Sequence, residues 1–454
     1  MSLKTRRLLY ITFILAFLIL TPLLIFYALG YSINSGFKIE KSGILVINTE
    51  PKGAKISIED KNIQKLWSRL LKKDDDFIKS PAKIKSLKPG NYNITVELPG
   101  YWPWTKKLTI RSGQTTFAED IYLFRNDKPV LIDENDTLLS DFSPNKKYFI
   151  NINQEQVTLV DLKSEEVESA YLQASSSIST TTNTLIEWSS DEKKIMDSAN
   201  IFSVNDLDNP IYFKSLIGEN LLDFKWDNLN SNNLFYYTNN KLFSFDTNNN
   251  HNKEIIDIQN IISFLPRDNN IYLIERQESH NNLLVFNRDS NEKTVKIELP
   301  FSDYRFVNTN HNLINLLDTN NKILYLIDQN SNLRPLKETI YACNKMQWIT
   351  NNTLLYTTDF EIWLFDLNTL EKELLTRISK KISNVEWHPS NNYVLFSTTD
   401  SINILELDDR EKHNIIKIAD FENIDKMQID KKGEVVYFNT IDNNTSKLYK
   451  IFIQ

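Results

Sequence analysis

The side chains best suited to chemistry in this chain are its five histidines and one cysteine, and their spacing argues against a local site. His251, His280, His311, His388 and His413 are scattered, with no two at the short spacing of a metal pair. They read as surface residues or as residues packed between repeats. Cys343 is the only cysteine, so no internal disulfide can form, and it reads as a small buried hydrophobe. There is no Gly-x-Ser-x-Gly elbow, no Gly-rich phosphate loop and no alternating-Asp calcium loop. The sequence therefore assigns no catalytic, cofactor-binding or metal residue and implies no cofactor. A site assembled from distant repeats would leave no local trace, so that possibility stays open. A net charge of −7 and a pI near 5.5 argue against a nucleic-acid partner.

The elements that would position any site begin with an anchor. Residues 8–30 are free of charge and follow Lys4, Arg6 and Arg7. The stretch is long enough to cross the hydrocarbon core, and the basic residues predict a cytoplasmic tail at 1–7 with the rest exported. A signal peptide cleaved near Ala28-Leu29-Gly30 is the alternative, but the apolar run is longer than a usual signal core. Glycine usage then divides the chain: seven of nine glycines precede residue 114, and only Gly218 and Gly433 follow. Asparagine-rich tracts at 227–233, 246–252 and 318–321 take over as turns, because Asn tolerates left-handed backbone angles. The shift marks a boundary near 125–129.

Between 42 and 124 short period-two strands alternate with turns. Pro51, Gly53 and Ala54 form one turn, Ser80-Pro81 follows, then Leu87, Pro89, Gly90 and Tyr92, then Gly100-Tyr101. In this order the motifs resemble the PEGA domain, with Lys52 at the glutamate position. The resemblance implies a small β-sandwich-like extracytoplasmic module without catalytic residues. An insertion at 61–73 departs from it. Ile63, Leu66, Trp67, Leu70 and Leu71 fall on one helical face, with lysine and arginine around them. Such a helix either covers its own module or lies on the bilayer, and packing on protein is the preferred reading. Trp102 and Trp104 read as packing at the module edge rather than as a sugar platform.

From 128 to 454 a half-repeat recurs every ~40 residues, as an anchor, a polar turn and a hydrophobic strand. The anchors are Phe142, Trp188, Trp226, Leu265, Val307, Trp348, Trp387 and Ile429, each followed by a second strand. Phe-Ser-Pro-Asn and Trp-His-Pro-Ser-Asn resemble the repeats of TolB-like and WD40-like propellers. The Gly-His and Trp-Asp pairs of true WD40 repeats are absent. The expected fold is thus mainly β: an anchor helix, a PEGA-like module and an eight-bladed propeller, with seven blades as the alternative. The last repeat is one strand short, and the orphan run 128–133 is predicted to complete it.

Together these parts resemble membrane-anchored PEGA-domain proteins of bacteria. They predict a single-pass, extracytoplasmic cell-envelope protein that binds an envelope protein or polysaccharide without catalysis. Two other readings remain: a glycan-active hydrolase or lyase with a dispersed site at the channel, and a TolB-like assembly factor.

Overall fold

The computed structural model describes residues 3–28, 31–33, 39–58, 78–172, 186–218, 221–307, 311–331 and 333–454. The expected helix at 61–73 lies outside these residues. The first element is the helix Leu3–Ala28, which runs back through the basic residues because lysine and arginine are good helix formers. Its segment Thr5–Pro22 has a mean hydropathy of 1.4 and no burial within the chain. It is long and apolar enough to cross a membrane.

The chain folds into two compact units. One comprises 1–127 with 405–416 and 453–454; the other comprises 128–404 with 417–452. In the first unit Gly43–Glu50 lies between Ala82–Leu87, antiparallel to it, and Thr115–Tyr122, parallel to it. A second sheet orders Ile78–Lys79, Lys55–Ile58, Gly90–Glu97 and Trp104–Ile110. The two sheets share one core that includes Leu45, Ile47, Ile56, Val96, Trp104 and Leu108. The first turn motif has a mechanical role. Gly53 takes φ +91°, its N–H donates to the Ser80 carbonyl at 2.8 Å, and the Ser80 N–H donates to the Ala54 carbonyl at 2.8 Å. The turn is thereby latched to the start of the next strand pair.

Strict alternation along Trp104–Ile110 turns Trp104, Lys106, Leu108 and Ile110 inward, so a lysine occupies a core position. Residues 405–416 supply its partners, although the repeat pattern assigns them to the larger domain. The Lys106 ammonium donates to Glu406 Oε2 at 2.9 Å and to the Asp408 carbonyl at 2.6 Å. Trp104 Nε1 and Asn414 Nδ2 also donate to the Glu406 carboxylate, each at 2.8 Å.

Among the described residues the second unit contains eight four-stranded antiparallel sheets. Their first strands are Leu139–Phe142, Glu187–Trp188, Asp223–Trp226, Ile261–Arg267, Tyr304–Val307, Lys345–Trp348, Ile382–Trp387 and Ile424–Ile429. Seven sheets are simple meanders. In the eighth, Val130–Asp136 pairs with Thr445–Phe452 as the outermost strand, as the orphan run predicts. Hydrogen bonds join each sheet to the next. Asn145 N–H reaches Glu192 at 3.1 Å and Trp226 Nε1 the Glu187 carbonyl at 3.0 Å. Asn228 reaches Asp268 at 3.2 Å and Arg267 the Leu313 carbonyl at 3.1 Å. Trp348 Nε1 reaches Asn315 at 3.1 Å, and Trp387 N–H the Gln347 side chain at 2.9 Å. Asn384 reaches the Asp425 carbonyl at 3.1 Å, and Asn439 reaches Ser140 at 3.1 Å, tying the eighth sheet to the first.

The anchors pack between sheets. Trp188 and Trp226 are buried, and Trp348 is half-buried with its ring stacked on His311 at a centroid distance of 3.6 Å. Asparagine carries many of the positive φ angles, including Asn250 in the 246–252 tract. In 318–321 the angle falls instead on the next residue, Lys322. In 227–233 Asp227 accepts from the Leu229 N–H at 3.1 Å, so a side chain closes the turn without a left-handed residue.

His388 shows why Gly433 stays a glycine. Gly433 sits at φ +82°, and a Cβ there would lie 2.7 Å from His388 Nε2. The buried imidazole donates from Nε2 to the Gly433 carbonyl at 3.2 Å and accepts the Ser390 N–H at Nδ1 at 3.2 Å. This is the neutral ring, and burial lowers its pKa to about 4. The unfolded chain binds this proton near pH 6.5 while the folded chain does not, so acid favours unfolding. Stability should fall by roughly 3 kcal/mol as pH drops from about 6.5 to about 4. Denaturant titrations across that range should show the slope, and His388→Gln should remove most of it.

Candidate functional site

The residue just before an anchor is repeatedly charged: Asp141, Glu187, Lys225 and Glu386 precede Phe142, Trp188, Trp226 and Trp387. All lie on the first strands, where they are joined by Arg305, Lys345, Asp425 and Lys426. Lys426 of the eighth sheet meets Asp141 of the first at 2.7 Å. Lys225 of the third sheet is bonded to Glu187 of the second and lies 3.8 Å from Asp223 on its own strand. Lys146, in the turn after Phe142, reaches Glu386 of the seventh sheet at 2.9 Å, past the eighth. An ion pair between non-consecutive sheets requires that both face a common axial space.

The electrostatics point to the same space. Burial works against the Lys225 ammonium, but Glu187 and Asp223 more than offset it and hold its pKa above the ordinary lysine value. Burial pushes the Asp141 and Glu386 carboxyls above the usual range, against the pull of Lys426 and Lys146. Lys345 is shifted the other way. Burial lowers its pKa, and the charges of Lys426 and Arg305 lower it further, against Asp425 and Asp141. These four neighbours come from the first, fifth and eighth sheets, whereas Lys345 is on the sixth.

The ends of the sheets differ in character. In an antiparallel meander the connection into each first strand and the hairpin between second and third strands lie at the same end. There Phe301, Tyr341 and Phe360 are exposed, Tyr341 by 67%. A depression of about 540 Å³ beside them is lined by Ala342, Thr358, Phe360, Glu361, Arg377, Ile378 and Ser379. The opposite end carries the Lys146–Glu386 pair.

The residues singled out in the sequence take no part in this arrangement. His311 and His388 are buried between sheets, His251 is exposed, and His413 Nδ1 donates to the Glu406 carbonyl in the first unit. Cys343 is buried, and desolvation pushes its thiol up to about 12, far from reactive. Among the described residues no three of His, Cys, Asp and Glu gather as a metal set. The first-strand charges were missed because each is an ordinary residue in its own repeat. The recurring charge before the anchor was the available signal.

Comparison with known proteins bears on each unit. A PEGA domain model matches residues 75–119. No curated protein matches the chain. Among solved structures, the C-terminal WD40 domain of Sif2 has a TM-score of 0.50 at 12% identity, covering 71% of this chain and 98% of its own. The second unit has a β-propeller fold. At that identity the likeness speaks to fold alone. The Dos1 propeller (TM-score 0.47, 12% identity, 72% and 95% covered) is similar by the same comparison. So is the dihydro-heme d1 dehydrogenase NirN (TM-score 0.46, 14% identity, 63% and 67% covered).

Proposed function

We propose that this chain is a single-pass cell-envelope protein, anchored by residues 8–30 with its N-terminus cytoplasmic. Residues 42–124 form a PEGA-like module, and 128–454 an eight-bladed propeller that binds an envelope protein or polysaccharide without catalysis. The observation that carries this reading is the propeller end bearing exposed Phe301, Tyr341 and Phe360. Exposed aromatics around a depression are typical of recognition surfaces. A photo-crosslinking residue placed at Tyr341 or Phe360 in the full-length membrane protein should capture one discrete partner. The same residue at Tyr171, 81% exposed on an outermost strand, should capture none. A glycan array probed with the purified protein covers the polysaccharide arm. Equal labelling at all three positions and no retained glycan would sink the reading.

A second reading, a glycan-active hydrolase or lyase, draws on Asp141 and Glu386, whose carboxyls burial raises. It requires turnover of an envelope glycan that Asp141→Asn and Glu386→Gln abolish. A TolB-like assembly role would place the partner at the same aromatic end.

A further inference from the structure

Of the five cations on the first strands, three are committed, Arg267 to the carbonyls of Leu313 and His311. Lys225 is bonded to Glu187 and Lys426 to Asp141. Arg305 and Lys345 are not: among the described residues neither has a carboxylate within ion-pair distance. They stand on the first strands of neighbouring sheets, near the end at which those strands enter, two residues and one residue into Tyr304–Val307 and Lys345–Trp348. Both residues keep solvent access, but the charges around Lys345 are Arg305, Lys426, Asp425 and Asp141 from three other first strands, which puts it on the axial side of its sheet. Phe301 and Tyr341 precede them in the connecting turns.

We propose that Arg305 and Lys345 form a carboxylate-binding site at the aromatic end of the axial space. The carboxylate belongs either to a free polycarboxylic acid or to an acidic side chain of a bound segment. Among the described residues no carboxylate lies within ion-pair distance of either side chain, so their donors are available to a ligand. A guanidinium offers a planar fork that fits a carboxylate in bidentate fashion, and the ammonium adds a third donor. Asp425 acts on Lys345 from beyond ion-pair range and offsets part of the positive charge there. Low-dielectric walls around the space strengthen the attraction for a carboxylate relative to open surface. The inference deepens the binding-module reading and rests on it.

The test uses the full-length protein in detergent at low salt, with two probes: citrate, and a fluorescein-labelled hexaglutamate peptide. Saturable binding of either is expected, citrate identifying a free acid and the peptide an acidic segment. Arg305→Gln/Lys345→Gln should weaken it at least roughly tenfold, because all three charge-assisted donors are lost. The charge-matched control Lys163→Gln/Lys293→Gln, on exposed outer positions, should leave it unchanged. Arg305→Lys alone should retain part of the binding, and it guards against misfolding of the double variant. Non-saturating binding of both probes, or equal losses in the inner and outer variants, would overturn the site. Crosslinks at Tyr341 and Phe360 would persist in that case, so this failure is distinct from failure of the binding-module reading.

Discussion

Deleting residues 128–136 from the full chain should cost roughly 5 kcal/mol, far more than shortening an ordinary connection. Val130–Asp136 forms a ladder with Thr445–Phe452 in six residue pairs, from Val130–Lys450 to Asp136–Thr445. Each buried or shielded backbone bond contributes about 1 kcal/mol net. The loss also turns Thr445–Phe452 into an exposed edge with unpaired backbone groups. Ile132, packed against the cluster of Phe142, Phe149, Tyr437 and Leu448 between the eighth and first sheets, is removed as well. Residues some three hundred positions apart thus become uncoupled, and unfolding should lose cooperativity. Denaturant titration followed by fluorescence gives the loss, and a synthetic peptide of 128–136 added in trans should restore part of it. An unshifted midpoint would mean that the strand is decoration and the ring closes without it.

Lys106→Met should destabilise the first unit by about 3–5 kcal/mol, the cost of stripping one partner from a buried ion pair. The Lys106 side chain has 0% relative exposure and that of Glu406 6%, so solvent screening cannot rescue the remaining carboxylate. Glu406 would keep the Trp104 and Asn414 donors but lose the one cation that pairs with it among the described residues. Lys106→Met/Glu406→Gln should recover a good part of the loss, because the uncompensated charge is then gone. Chemical unfolding of the three proteins measures this. A loss below about 1 kcal/mol for Lys106→Met would place the pair with solvent-exposed bridges instead.

Local pattern carried much of the architecture. Period-two alternation and turn residues located most strands, since a strand with one buried face must alternate. The ~40-residue recurrence of anchor aromatics marked the sheets, since each sheet needs a neighbour to bury its faces. Even the closing strand was legible, because a repeat that ends one strand short needs its missing edge from elsewhere. The apolar run of the first helix was equally plain.

What the sequence could not decide was which distant residues meet. Lys106 reads as one more polar residue in an alternating strand, and only the placement of Glu406, 300 positions away, makes it a core residue. Likewise Lys345 and Arg305 look like ordinary charges beside a turn. The absence of an ion-pair partner for either among the described residues, and the nearness of Lys345 to Lys426 and Asp141, arise from the packing of the sheets around a common axis. Backbone propensity and hydrophobic period act over a few residues and are written locally. Charge pairing acts through space, so it is settled only when the ring has formed.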